Sequence, residues 1–430
     1  MKPTIVISSP VDTYSGYGAR SRDFIKAIID LDKYDVKLLS QRWGNTRFGY
    51  LDDHNLDNIT SLIIPKLSNK PDIWIQITVP NEFSPVGNYN IGVTAGIETN
   101  ICDQSWIQGV NRMDLTLTSS NHSKEVFEKT RWEVKDNKTG KVQLLVVNKP
   151  VEVLFEGVDL TKYFETKSTL DLSEVKESFC YLVVGHWLQG SIGNDRKNIG
   201  YTIKSFLETF KNKPTPPALI LKTSHVTTSL TDKDILLNKI DSIKKSVKGK
   251  LPNIYIVHGD LTDQEVNELY NHSKVKVMVT HTRGEGFGRP LLEFSMTGKP
   301  IIATAWSGHL DFLNPNYCTL INGSLEQLDK SSVQKNVLLK ESSWFKPDDG
   351  LVGKAYKNTF KKYKQYLAPS KQLRHENKTK FSYESMVTLL GETLTKYIPE
   401  LKLEPKFTSL KMPKLKTSAP SIKLPKLKKV

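Results

Sequence analysis

The chain has 430 residues, of which 38% are hydrophobic and a further 25 are glycine, so it can bury a sizeable core, and its length predicts two domains. No run of about eighteen apolar residues occurs, and the start lacks the long apolar stretch and cleavage site of a signal peptide, so a cytoplasmic location is expected, in the host cytoplasm if the protein is viral. The formal charge of +15 is uneven: residues 401–430 carry nine lysines against one glutamate, a net +8, leaving +7 for the rest.

In chain order, apolar β-branched runs predict strands at Thr4–Ser8, Val36–Leu39, Ile73–Val79, Ile91–Thr94 and Leu115–Thr118, with helical segments between several of them. A hairpin is predicted over Trp132–Val147, turning at Asp136-Asn137-Lys138-Thr139-Gly140. The extended stretch Val151–Phe155 then leads out of a first domain placed at 1–165. A second series begins at Tyr181–Gly185 and continues with Ala218–Lys222, Ile254–Val257, Val275–Thr280, Pro300–Thr304 and Cys318–Ile321, giving a second domain at 166–365. Residues 352–400 read as mostly helical, interrupted around Ala368-Pro369-Ser370, and 366–400 are expected to return to the first domain. The tail 401–430 repeats Pro-Lys-Leu-Lys and is too poor in apolar residues to offset its ordering entropy, so disorder is expected there. Strand–helix alternation on this scale predicts an α/β chain with two parallel sheets.

Cys102, Cys180 and Cys318 are far apart and form no paired motif, so each is read as a small hydrophobe. Nine histidines show no close ligand spacing, and no metal site is expected. Asp30-Leu31-Asp32 ends a helix and Asp232-Lys233-Asp234 sits in a polar stretch, so neither pair is placed to grip a divalent cation against a diphosphate.

The strongest chemical signal is the strand 275–280 followed by His281-Thr282-Arg283-Gly284-Glu285-Gly286-Phe287-Gly288-Arg289-Pro290 and a helix carrying Glu293. Gly284, Gly286 and Gly288 let backbone amides approach a ligand at the positive end of that helix, where a diphosphate is stabilised. Glu285 and Glu293 supply acceptors for sugar hydroxyls. A second constellation, Gly185-His186-Trp187 with Asp195-Arg196-Lys197-Asn198 at a helix start, offers cations to a departing diphosphate, and Lys222 adds another at a strand end. In the first domain, Ser15-Gly16-Tyr17-Gly18-Ala19-Arg20 stands between a strand and a helix.

Over about residues 265–315 the chain resembles glycosyltransferase family 4, whose Glu-x7-Glu within Gly-x-Gly-x-Pro-x-x-Glu stands here as Glu285 to Glu293. The resemblance implies the GT-B architecture, two Rossmann-like domains facing across a cleft. It implies retaining transfer from a UDP- or GDP-linked sugar without cofactor or metal. It gives Glu285 a place by the transferred sugar and Glu293 the ribose hydroxyls. Lys197 matches the family's lysine at the helix start and falls to the leaving group, with Gly286, Phe287 and Gly288 on the donor; Arg196 and Lys222, by their own positions, are further donor-side cations. His186 stands where the family carries an arginine. Gly16 and Gly18 resemble the loop that closes over the donor phosphates. Gly92–Thr99 resembles the stretch in which many relatives carry a histidine near the acceptor; none occurs from 91 to 121, so Glu98 or Thr99 is the candidate there. His309 reads equally as a donor contact or a solvated loop residue. The acceptor is expected to be a polysaccharide, lipid-linked sugar or other glycoconjugate. Hydroxymethylated viral DNA, with the tail 401–430 as a polyanion tether, is the alternative, and a non-catalytic nucleotide-sugar binder is a third reading.

Overall fold

A computed structural model describes residues 2–135, 140–188, 192–225 and 227–400. The expectations for the hairpin turn at 136–139, for the middle of the 188–194 loop and for the tail fall outside these residues.

The first sheet takes β1 (Thr4–Ser9), β2 (Asp35–Ser40), β3 (Ile73–Ile77), β4 (Tyr89–Thr94), β5 (Leu115–Thr118) and, beyond the hairpin β6 (Trp132–Lys135) and β7 (Val142–Leu145), β8 (Val151–Val153). Its order is β2-β1-β3-β4-β5-β8, all parallel. The second sheet is built from β9 (Cys180–Val184), β10 (Ala218–Lys222), β11 (Ile254–Val257), β12 (Val275–Val279), β13 (Ile301–Thr304) and β14 (Thr319–Ile321). Its order is β11-β10-β9-β12-β13-β14, again all parallel, with two strands on the far side of β9 where the first sheet has only β2 beyond β1. The inner parallel strands are covered on both faces, which is why they read as largely apolar runs; all five residues of β3 are buried, whereas the edge strands β2 and β11 are only partly so.

The crossovers are α1 (Gly16–Asp30), the one-turn α2 (Tyr50–Asp53) and α3 (Asp57–Thr60), α4 (Gln104–Arg112), α5 (Asn121–Lys129), α6 (Ile199–Phe210), α7 (Leu230–Lys245), α8 (Asp263–Asn271) and α9 (Arg289–Ser295). Several start on a side-chain cap: Ser15 Oγ accepts from the Gly18 amide at 2.9 Å, and Thr262 and Glu265 form a capping box on α8. In each sheet the chain reverses direction of travel beside its first strand, between β1 and β3 and between β9 and β12. Crevices open at such switch points, outside the carboxyl ends of the strands.

After the antiparallel pair β15 (Gly323–Gln327) and β16 (Ser343–Pro347), the chain forms α10 (Asp349–Lys361), α11 (Tyr363–Lys380) and α12 (Tyr383–Tyr397). The expected interruption at Ala368-Pro369-Ser370 is corrected: Pro369 lies inside α11, and the breaks fall at Lys362 and Phe381. An interior proline removes one backbone bond and crowds the preceding turn, and here the neighbouring turns are held by a side chain within the helix and by a contact to α9. Ser370 Oγ donates to the Tyr366 carbonyl at 2.7 Å, and Asn377 Nδ2 donates to Ser295 Oγ on α9 at 3.0 Å. α12 then lies on α1, where Tyr383 OH donates to Asp30 at 2.7 Å. At the exit from the first sheet the Val158 amide donates to the Phe381 carbonyl, and the Tyr383 amide donates to the Val158 carbonyl, both at 2.9 Å.

Of the three cysteines, Cys102 and Cys180 are buried and Cys318 is half-buried; all are unbridged, and burial pushes each thiol up to about 12. No helix among the described residues is long and apolar enough to cross a membrane.

Candidate active site

The loops leaving β9 and β12 meet the loop leaving β4 of the first sheet. Glu285, in the loop after β12, takes Lys197 Nζ on both carboxylate oxygens at 2.7 Å. Arg196 Nη1 reaches the same carboxylate at 3.3 Å and, on its other side, Glu98 of the first domain at 3.6 Å. Two cations and two carboxylates thus stand in a row across the domain seam. Burial alone would raise the Glu285 pKa, but Lys197 and Arg196 outweigh it and hold the carboxyl down at about 2. Lys197 shifts the opposite way to an ordinary ion-paired lysine: burial and the like charge of Arg196 lower it despite Glu285. The two directions agree once one buried carboxylate is seen to serve two cations.

The backbone around this row is tied down at several points. Asn198, at φ +55, turns the chain into α6 and donates from Nδ2 to the His281 carbonyl at 2.9 Å, while the Arg283 amide donates to the Arg196 carbonyl at 2.9 Å. Ser307 sits at φ +83, strained for a residue with a side chain; its Oγ accepts the Glu285 amide at 2.9 Å, and the Gly308 amide returns to the Glu285 carbonyl at 2.9 Å. A Cβ at Gly286 would collide with the Ala95 carbonyl, and one at Gly284 with the Glu98 carbonyl, so these glycines let the two domains touch. Ser119 Oγ donates to the Gly286 carbonyl at 3.2 Å across the same seam. A small cavity lies behind, lined by Val184, Lys197, Thr280, Glu285, Gly288 and Pro290.

One turn into α9, Glu293 accepts from Arg289 Nε at 2.8 Å and from Tyr270 OH at 3.4 Å. Arg289 in turn pairs with Asp23 on α1 at 2.5 Å and approaches Glu156 to 3.9 Å. Burial pushes Glu293 up to about 7, helped by Asp263 and Asp23, because one guanidinium is shared among several acids. That same crowd of carboxylates drives Arg289 upward.

Other sequence candidates are distributed differently. Lys222 ends β10 and donates to the Gly259 carbonyl at 2.6 Å, away from Glu285. It still faces His186, whose ring bonds Ser224 Oγ at 2.8 Å and whose pKa is lowered first by burial and then by Lys197, Lys222 and Arg196. Gly16 and Gly18 form the first turn of α1 and not a free loop: Gly18 is packed on the Thr13 carbonyl, and Gly16 borders open space. The Phe287 ring turns into the core, 5.0 Å from Phe312, so what it offers the site is backbone. Gly288, at φ +97, starts α9, with Pro290 in the first turn. His309 is wholly buried, which removes the reading as a solvated loop residue; its Nε2 lies 2.7 Å from the Thr304 carbonyl and Nδ1 has no partner.

Three residues escaped sequence reading. Arg289 looks like an ordinary helix-start cation until Asp23 is folded against it. His122 lies one residue beyond the stretch 91–121, and its ring packs edge-on to Trp306 at 4.7 Å beside the Ile97–Thr99 backbone. Tyr17 bonds Thr94 Oγ1 at 2.9 Å and the Ala95 amide at 3.1 Å, tying α1 to the seam. Among the described residues no group of acidic, histidine or cysteine side chains is arranged to hold a metal ion.

Residues 241–331, which include both glutamates, match the family model described as glycosyl transferases group 1. No curated protein matches the chain in sequence. Among solved structures, sucrose-phosphate synthase from Thermosynechococcus elongatus superposes with a TM-score of 0.61 at 10% identity, over 92% of this chain and 99% of that one. A glycosyltransferase from Rickettsia africae gives 0.61 at 14% identity, over 93% and 99%. Anabaena HepE in complex with UDP and glucose gives 0.55 at 13%, over 92% and 100%. These likenesses show the fold, two Rossmann-like domains in the GT-B arrangement, and with the family match they support a glycosyltransferase.

Proposed function

We propose that the chain transfers a glycosyl group from a nucleotide sugar to an acceptor hydroxyl, in the manner of family 4 and with retention at the anomeric carbon. The observation that carries this is the row Glu98–Arg196–Glu285–Lys197 at the seam of two facing domains, with Glu285 buried and the other three half-buried. Cleavage of the donor's C1–O bond leaves negative charge on a diphosphate, and Lys197 and Arg196 are preorganised cations that would exchange Glu285 for it. Glu285, released from them, accepts hydroxyls of the transferred sugar, and Glu293 those of the ribose. Lys222 and the amides of Gly286, Phe287 and Gly288 complete the donor side, with the α1 start at Gly16 and Gly18 closing from the first domain. The acceptor oxygen forms the new bond to C1 on the face the diphosphate leaves, and its proton passes to a diphosphate oxygen. Glu98 orients that acceptor.

Leaving-group charge is met here by side-chain cations, so transfer proceeds without a metal or further cofactor. UDP-glucose is the donor to try first, since HepE is seen with UDP and glucose, and GDP-linked sugars second. The acceptor is a glycan or glycoconjugate; nine lysines in 401–430 add an affinity for polyanions that DNA would share. Release of nucleoside diphosphate from a donor panel, with glycan, lipid and DNA acceptors, tests the proposal. Glu285→Ala is expected to lower kcat on the order of 100-fold, the usual cost of removing one preorganised group. Glu293→Ala is expected to raise donor KM about tenfold with a smaller effect on kcat. Unchanged kinetics in both variants would overturn the assignment.

A further inference from the structure

One surface beside the seam is given no role by the donor assignment. Between β2 and α2 the chain runs through Gln41-Arg42-Trp43-Gly44-Asn45-Thr46-Arg47-Phe48-Gly49, turned by Gly44 at φ +49 and Gly49 at φ +99, both with open space around them. The loop is rich in aromatic faces. Trp43 stacks on Tyr17 with centroids 4.0 Å apart and planes at 25°. Arg47 lies over the Tyr14 ring at 4.5 Å, and Arg42 over Phe48 at 5.6 Å. Phe48 is 41% exposed, so much of its ring is left for a ligand to cover.

Its position ties it to the reaction centre. Tyr17, under Trp43, is the residue that bonds Thr94 and the Ala95 amide, and Ala95 touches Gly286, next to Glu285. From the other side Arg47 reaches Asp260 of the second domain at 3.5 Å. The loop therefore stands at the first-domain lip of the cleft, where an acceptor enters.

Charge decides what kind of acceptor fits. Arg47 is already engaged by Asp53 at 2.5 Å as well as by Asp260, and Tyr14 OH donates to Asp53 at 2.6 Å. Residues 1–165 hold 19 lysines and arginines against 21 aspartates and glutamates, a net −2, so the molecule's positive charge lies elsewhere. Nucleic-acid binding rests on neutralising a row of phosphates, for which this lip offers Arg42 while Arg47 is engaged by two carboxylates. A sugar ring asks for something different: an aromatic face for its C–H surface, and guanidinium, amide and carboxylate groups for its hydroxyls.

Resting on the glycosyltransferase reading above, the geometry points to a carbohydrate acceptor whose pyranose ring stacks on Trp43, with Arg42 and Phe48 as the flank of the same subsite. The test uses the full chain loaded with UDP and an array of neutral pyranose oligosaccharides, with a 20-nucleotide thymidine oligomer beside them. Trp43→Ala is expected to weaken glycan binding about tenfold, the size of one lost stacking contact, while Trp43→Phe retains most of it. Titration of UDP-glucose and GDP-mannose into the same variants, together with their thermal unfolding, separates the two readings. If no nucleotide sugar binds the wild type, the donor assignment fails. If donor binding and folding are intact in Trp43→Ala and glycan binding is unchanged, or if the wild type takes the thymidine oligomer and no glycan, the acceptor inference is overturned.

Discussion

Glu293 and Glu285 carry the same side chain on one loop–helix unit, yet their surroundings push their pKa values in opposite directions, about 7 against about 2. Two cations face Glu285, whereas Glu293 shares Arg289 with Asp23 and Glu156. The sign for Glu293 follows from linkage. Its folded pKa lies above its unfolded value near 4.5, so its contribution to stability is fully present below that value and is lost as pH rises through about 7. Urea unfolding of wild type and Glu293→Gln at pH 5 and pH 8 checks this. The wild type is expected to lose roughly 2 to 3 kcal/mol relative to the variant between the two, since each tenfold difference in proton affinity between the folded and unfolded chain is worth about 1.4 kcal/mol. A difference that does not move with pH would show that Glu293 stays charged throughout.

At the level of elements, α11 shows where local rules yield to packing. An interior proline costs a helix about 3 kcal/mol, enough to predict a break in a segment read alone. Here the last turns are gripped by neighbours: Leu373 is buried, Asn377 bonds Ser295, and Gly298 leaves room for Lys371 and Arg374. Pro369→Ala restores a backbone donor at a position already helical, and is expected to stabilise the protein by roughly 1 to 3 kcal/mol, read as a higher urea midpoint. An unchanged or lower midpoint would mean that Pro369 itself packs usefully. The strands behaved otherwise. Ala218–Lys222, Ile254–Val257 and Leu115–Thr118 have the bounds their apolar and β-branched runs predict: the inner strands β10 and β5 are buried along almost their whole length, and β11, at the sheet edge, is half-buried.

For the whole molecule, the question is what keeps two domains face to face. The seam holds backbone contacts at Gly284 and Gly286, the Asn121 amide on Asp311 at 2.9 Å, paired bonds between Asn100 and Ser343, and the Arg289–Asp23 ion pair. Of these, Arg289–Asp23 is wired directly to Glu293, so the grip between domains and the site proposed for ribose share one guanidinium. Both side chains are half-buried, and removing one partner leaves the other charge, already short of water, uncompensated. Asp23→Asn is expected to favour opening, raising amide hydrogen exchange in the 284–288 loop about tenfold or more, the effect of some 1.4 kcal/mol. Exchange unchanged in that loop would place the closing force elsewhere.

What the sequence by itself determined is whatever depends on neighbours along the chain. Apolar runs set the strands, and glycine spacing set the strand–loop–helix carrying Glu285 and Glu293. Lys197 beside Arg196 at a helix start announced a cationic site. What only the tertiary structure decided is how residues far apart along the chain share charge and space. Asp23 meets Arg289, Glu98 meets Arg196, Trp43 stands over Tyr17 at the lip, and His309 is sealed from water. The reason is physical. Backbone geometry and hydrophobic periodicity are local and leave a pattern in one segment, whereas ion pairing, desolvation and close backbone approach arise between segments and leave no mark in either alone.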